Sequence, residues 1–170
     1  MSDAPSPAQQ AKVLTCRDGV VHGTREDRSG AALAEFLADH GFEVVERRVT
    51  ADGAENVAAA LGEMGHAVQH AYQLQRKRRF REVFGSVTKP YPTSYRPNPA
   101  SKRYVQHLDG WYAQSHPAED FAETFAVWLT PNFAWRKRYA GWPALKKLEF
   151  VDELMAQLAG SKPVATSRER

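Results

Sequence analysis

The sequence predicts an α+β fold, in which a truncated βαβ segment at the N-terminus is joined to a mostly helical C-terminal half. Two observations lead to this prediction. Residues 12–46 read as strand, helix and strand, the order that forms a parallel βαβ unit. From about residue 55 onward, the apolar residues recur mainly at helical spacing.

The N-terminal segment supplies both strands and the first long helix. Residues 1–11 are rich in Ser, Ala, Pro and Gln, and we expect them to be disordered. Lys12–Cys16 and Phe42–Glu46 are strand candidates, and Gly30–His40 is a helix with Ser29 as its N-cap. A two-stranded parallel fragment cannot bury both of its faces alone, so this unit is incomplete.

The middle of the chain is predicted as one long helix followed by one long loop. The helical pattern begins near Glu55 and continues to about Phe84. Residues 85–102 contain four prolines and form the loop, and loops of this length are often functional.

Three shorter helices are predicted after the loop. The first has Ser115 or His116 as its cap and Pro117 as its first residue. The others cover residues 133–139 and 143–160, and residues 161–170 are expected to be a flexible tail.

The composition excludes several classes of protein. Hydrophobic residues make up 42% of the chain and charged residues 25%, as in globular proteins, and no apolar run approaches the ~20 residues that span a bilayer. The single cysteine, Cys16, excludes an intrachain disulfide. The first ten residues show no secretion-signal pattern, so we expect a cytoplasmic protein that does not bind membranes.

The charge is unevenly distributed along the chain. Acidic residues outnumber basic ones in residues 1–61, and basic residues predominate afterwards. The run Arg76–Arg81 is the most basic segment, but no aromatic platform or binding motif accompanies it. We therefore interpret it as a solvated helix face and do not expect a nucleic-acid partner.

The segment LGEMGHAV, residues 61–68, contains an incomplete zinc-protease motif. In H-E-x-x-H, the two His side chains lie four residues apart on one helix face and share a zinc ion. The Glu takes a proton from the zinc-bound water. Here Glu63 and His66 match the motif, but Gly62 stands where the first His belongs.

Residues 62–158 resemble a family of zinc-binding metallopeptidases. The matching segments are GEMGHAVQHAYQL, FGS, PYPTSYRPNP, WYAQSHPAEDFAETFAVWLTP, WRKRYAGWPALKKL and VDELM. The resemblance implies a zincin-type fold of the gluzincin kind for this half. It also implies zinc as cofactor and hydrolysis of a peptide or protein substrate.

The resemblance assigns roles to four residues of this chain. His66 corresponds to the second zinc-binding His, and Glu119 in AEDFAETF corresponds to the third ligand. Glu63 corresponds to the general base, and Tyr112 to a tyrosine that supports the oxyanion.

Other residues would support or modify this site. Glu123 and His116 are expected to orient the zinc ligands without contacting the ion themselves. His70 is a possible substitute ligand, because it lies four residues after His66. With a glycine at position 62 the HExxH motif is degenerate, so we expect weak or absent zinc binding and little or no turnover.

Residues 12–61 resemble a different family, the molybdopterin-binding domain of molybdenum-cofactor biosynthesis proteins. The matching segments are KVLTCRDGVVHGTREDRSGAALAEFLADHGFEVVERRV and DGAENVAAAL. The two resemblances meet at Gly62, which suggests a fusion, and residues 62–160 then form the peptidase-like region. A non-catalytic peptide-binding protein and a molybdopterin-binding protein are the alternatives, and the oligomeric state is left open.

Overall fold

The computed structural model describes residues 9–130 and 132–164, and the predicted mixed fold is confirmed. A two-stranded parallel sheet near the N-terminus is followed mostly by helices. Part of the segment predicted as disordered, residues 1–8, and the end of the predicted tail, residues 165–170, lie outside the described residues. The chain divides into two compact units, and the boundary lies between Val57 and Ala58.

The described elements follow one another in this order: β1 (Gln9–Cys16), α1 (Asp18–Val21), α2 (Arg28–Asp39), β2 (Phe42–Thr50), α3 (Ala54–Ala71), α4 (Arg78–Phe84), α5 (Pro117–Leu129), α6 (Trp135–Arg138) and α7 (Leu145–Leu158). Two 3-10 turns cover Leu74–Arg76 and Asp109–Gln114. Among the described residues, none of these helices combines the length and apolar character needed to cross a membrane.

The first unit contains the sheet, and both of its strands are longer than predicted. β1 and β2 pair in parallel from Gln9 opposite Phe42 to Cys16 opposite Thr50. Because residues 9–11 pair with β2, they are ordered strand rather than part of a disordered segment. Parallel pairing of two strands joined by α2 agrees with the predicted βαβ order.

Helix α2 begins earlier than predicted, because Asp27 caps it instead of Ser29. The Asp27 carboxylate accepts a hydrogen bond from the Gly30 amide at 2.9 Å. Arg47 of β2 donates to the same carboxylate at 3.0 Å, and this contact joins the helix start to the sheet.

The first unit has a small core. Val13 of β1 is buried, but Leu33 and Phe36 of α2 are 46% and 56% exposed. A fragment with two strands and one long helix therefore leaves much of its apolar surface uncovered, as its incomplete sequence pattern predicts.

The second unit has an aromatic core. Phe80 and Phe84 of α4 pack against Phe121 of α5, with ring centroids 5.1 and 5.3 Å apart. The buried cluster also takes side chains from the turn after α3, from α5 and from α7: Leu74, Phe125, Phe150, Val151, Leu154 and Leu158. This packing fixes α5, which carries the acidic residues of the candidate site, inside the unit.

The predicted helix from Glu55 to Phe84 is wrong beyond Ala71. Gln73 adopts a left-handed conformation with φ of 48°, which ends the helical path before the 3-10 turn and α4. The interruption redirects the chain so that Phe80 becomes fully buried. Periodicity alone misses such a break, because α4 continues the amphipathic pattern.

The last three helices start near the predicted positions, and the final two are shorter than predicted. α5 begins at Pro117 with His116 as its N-cap, as predicted. α6 has only four residues, and α7 ends at Leu158. The first part of the predicted tail is fixed to the residue that follows α3, since Tyr72 donates to the Ser161 carbonyl at 3.0 Å.

The proline-rich loop is longer than predicted and extends from Gly85 to Leu108. It is fastened to the segment before α5. The Asn98 backbone and the Gln114 side chain exchange two hydrogen bonds of 2.9 and 3.0 Å. Tyr95 donates to the Gly110 carbonyl at 3.0 Å, so the loop has a defined course beside α5.

Candidate active site

Helices α3 and α5 approach closely at Gly65. A Cβ added to this glycine would lie 2.9 Å from the Ala122 Cα and 3.3 Å from the Phe125 Cβ. Only a residue without a side chain fits there unless the backbone shifts. The close approach brings the next residue of α3, His66, beside the first turn of α5.

His66 and Glu119 form the centre of the site. The distance between His66 Nε2 and Glu119 Oε2 is 3.1 Å. The hydrogen bond to Glu119 raises the pKa of His66. Burial raises the pKa of Glu119, but the hydrogen bonds from His66 and Tyr91 outweigh it, so the net pKa is lowered. Both residues therefore favour their charged forms in each other's presence.

Tyr91, from the proline-rich loop, contacts the other oxygen of Glu119. Its hydroxyl donates to Oε1 at 2.6 Å. Its ring stacks on the His116 ring with centroids 3.9 Å apart and planes inclined by 16°. Burial and the neighbouring Glu119 raise the pKa of Tyr91 well above its usual value, so the phenol keeps its proton.

His116 has a structural role at the start of α5. Its Nδ1 accepts a hydrogen bond from the Ala118 amide at 3.1 Å, and its Nε2 lies 2.9 Å from the Lys89 carbonyl oxygen. Because Nδ1 accepts, the ring proton belongs on Nε2, which donates to Lys89. His116 thus supports Tyr91 and fastens the loop.

Glu123 lies one turn after Glu119, and its hydrogen bond goes to the end of the loop. Its Oε2 accepts from the Leu108 amide at 3.1 Å. Burial, together with the negative charge of Glu119, raises the pKa of Glu123 to about 7. The residue therefore fixes the chain that leads into Tyr112.

Tyr112 is 37% exposed and follows a strained turn. Gly110 and Trp111 both have left-handed backbone angles, with φ of 72° and 53°. Such a conformation costs about 1–3 kcal/mol for a non-glycine residue and is often found at functional sites. Burial and the charge of Glu119 raise the pKa of Tyr112.

The remaining predicted residues lie on α3. Glu63 is exposed, and its charge contributes to the raised pKa of His66. His70 is exposed one turn after His66. A Cβ added at Gly62 would meet no atom within 4 Å, so a side chain has room there.

These residues do not fit a complete catalytic zinc site. Such a site takes three protein ligands and a water molecule. Within residues 9–130 and 132–164, no group of three or more His, Cys, Asp or Glu side chains could hold a metal ion. His66 and Glu119 supply two donors, and the described part of the chain brings no third such side chain, His70 included, to them.

Tyr91 is the functional candidate that sequence reasoning missed. Its segment, PYPTSYRPNP, is part of the resemblance, but 28 residues separate Tyr91 from Glu119. No periodicity links a loop tyrosine to a distant helical carboxylate. Only the fold shows that the two side chains meet.

A comparison with protein families shows what the chain is similar to. The family model described as "Putative zinc-binding metallo-peptidase" matches residues 38–132, more than half of the chain. The match contains His66, Tyr91 and Glu119, and it begins at residue 38, before Gly62. No curated protein and no solved structure matches the chain. The chain belongs to this family of zinc-binding metallo-peptidases.

Proposed function

We propose that this chain is a metallopeptidase-like protein, derived from zinc-dependent peptide hydrolases, whose activity is impaired because Gly62 replaces a zinc-binding His. The contact of 3.1 Å between His66 and Glu119 is the main support for this proposal. These residues stand 53 positions apart, and they are the two that the peptidase resemblance names as ligands.

The geometry around position 62 supports the proposal that Gly62 stands in the place of a zinc-binding His. Residues 62 and 66 lie one turn apart on the same face of α3. The space beside Gly62 is open, whereas the space beside Gly65 is closed by α5. A His at position 62 would thus find room on the face that carries His66.

Two further site residues suit peptide hydrolysis. We assign Glu63 as the general base, since it occupies the motif position of that group. We assign Tyr112 as the oxyanion support, because it is partly exposed and close enough to Glu119 for its pKa to be affected. The substrate class is a peptide or protein.

A non-catalytic peptide-binding protein is the second candidate. The observation in its favour is that, within the described residues, no third His, Cys, Asp or Glu side chain joins His66 and Glu119 to form a metal-binding group. Such a protein would keep a peptide-binding surface without hydrolysing its ligand. Zinc binding and hydrolysis separate the two candidates.

The test compares the native chain with Gly62→His. We expect weak zinc binding and little peptidase activity in the native chain, and about one zinc per chain with increased hydrolysis of a casein substrate in the variant. Gly62→Ala is the control for the change in helix propensity. Adding His66→Ala to the Gly62→His chain is expected to abolish the gain.

Two results would contradict the proposal. If Gly62→His changes neither zinc content nor hydrolysis, the site assignment is wrong. If the native chain binds one zinc tightly and is fully active, another ligand completes the site and the proposed impairment is wrong.

A further inference from the structure

We propose that Tyr91 is a positioning residue for Glu119. The Tyr91 hydroxyl holds Glu119 Oε1, so that Oε2 faces His66. The inference rests on the proposed function only for the role of Glu119 as a ligand. The two hydrogen bonds do not depend on that role. The Tyr91 hydroxyl lies 2.6 Å from Glu119 Oε1, and His66 Nε2 lies 3.1 Å from Glu119 Oε2.

The two contacts act on different oxygens of one carboxylate. A glutamate has three rotatable side-chain bonds, and the last of them is only weakly restricted. One donor would allow the carboxylate to turn about that contact. Donors on both oxygens, from two separate segments, select one orientation of Glu119.

Tyr91 is itself held in place. Its ring lies on His116, whose Nδ1 caps α5 and whose Nε2 binds the loop at Lys89. The hydroxyl is therefore supported by the same helix that carries Glu119. A donor on a supported element orients its partner better than one on a free loop.

The direction of the hydrogen bond follows from the two groups. A carboxylate oxygen can only accept, so the Tyr91 hydroxyl donates to Glu119 Oε1 across 2.6 Å.

The loop provides a matched control. Tyr95 also fastens the loop through its hydroxyl, but its acceptor is the Gly110 carbonyl oxygen at 3.0 Å. Tyr91→Phe and Tyr95→Phe thus each remove one loop-fastening hydroxyl, and only the first removes a contact to Glu119. Tyr91→Phe keeps the ring that stacks on His116.

The first measurement uses the native chain without metal. The His66 Nε2 proton that bonds Glu119 is expected as a slowly exchanging signal in NMR of ¹⁵N-histidine-labelled protein, identified by its loss in His66→Gln. We expect Tyr91→Phe to broaden or remove this signal and Tyr95→Phe to preserve it. An unchanged signal in Tyr91→Phe, or equal loss in both variants, would overturn the inference.

The second measurement places both substitutions in the Gly62→His chain. Tyr91→Phe is expected to weaken zinc affinity about tenfold, as for other groups that orient a ligand, while Tyr95→Phe leaves the affinity unchanged. Equal affinities in the two variants would contradict a positioning role. If the Gly62→His chain binds no zinc, the proposed function fails, and the His66 signal still decides the role of Tyr91.

Discussion

Lys147 of α7 and Asp120 of α5 form a largely buried ion pair, with 2.6 Å between Nζ and Oδ2. The Lys147 ammonium also lies 4.2 Å from the centroid of the Tyr104 ring. Burial raises the pKa of Asp120 to about 7, although Lys147 opposes this shift. The pair joins two helices directly beside the candidate site, because Asp120 follows Glu119.

Removing Lys147 is expected to destabilise the fold in a pH-dependent way. Lys147→Met leaves the buried Asp120 unpaired, which costs about 3–5 kcal/mol while the carboxyl is charged. The loss is expected to be larger at pH 8 than at pH 5, since Asp120 can take up a proton at the lower pH. Urea unfolding at both pH values measures it, with the exposed Lys146→Met as control. Equal losses for the two lysines would contradict the account.

Gly65 is expected to tolerate no side chain. Gly65→Ala places a Cβ 2.9 Å from the Ala122 Cα, and overpacking of this kind costs about 1–3 kcal/mol. Gly62→Ala meets open space and is expected to stabilise α3 by up to about 1 kcal/mol through helix propensity. Chemical denaturation of both variants compares them. Similar effects of the two substitutions would show that α3 and α5 do not meet at Gly65.

Glu123 is expected to make stability depend on pH. Its pKa is about 7 in the folded chain, against an ordinary value of 4.5 for a glutamate carboxyl. The folded state therefore binds more protons between these values, and the free energy of unfolding falls as pH rises from about 4.5 to 7. Above pH 7 this contribution, on the order of 3 kcal/mol, is lost.

Glu123→Gln isolates this effect, because a glutamine can still accept from the Leu108 amide. Denaturant titrations at pH 5, 6, 7 and 8 are expected to show a stability difference between variant and native chain that grows with pH. Asp120 titrates in both proteins and largely cancels. A difference that stays constant with pH would contradict the assignment.

His116 is expected to have two separable roles. His116→Ala removes the cap of α5 and is expected to lower the free energy of unfolding by about 1 kcal/mol. His116→Asn restores a good cap and is expected to recover much of that loss. Both variants lose the bond to Lys89, so hydrogen exchange in the loop near Lys89 is expected to increase in both. Full protection of the loop in either variant would disprove the second role.

Local rules predicted part of the fold well. The His116–Pro117 pair is a recognisable helix start, and the structure begins α5 at Pro117. The spacing of strand, helix and strand predicted the parallel pairing of β1 and β2. In each case the prediction depends on residues that are neighbours in the sequence, or on a spacing of apolar residues that tertiary packing leaves unchanged.

Two kinds of feature could not be predicted in this way: a backbone conformation that its residue type does not favour, and contacts between distant residues. The left-handed Gln73 that ends α3 belongs to no residue type that favours such a turn. Asp27 replaces Ser29 as the cap because Arg47, twenty residues away, also binds it. Tyr91 reaches Glu119 only because the loop folds back over α5.

The most direct test of the central claim is a crystal structure of the Gly62→His chain grown with zinc, with the ion located by anomalous scattering. We predict one zinc ion held by the introduced imidazole, by His66 Nε2 and by the Glu119 carboxylate, with Zn–N distances of about 2.0–2.1 Å. Zinc bound elsewhere, or bound at His66 without Glu119, would contradict the claim that these two residues belong to one metal site.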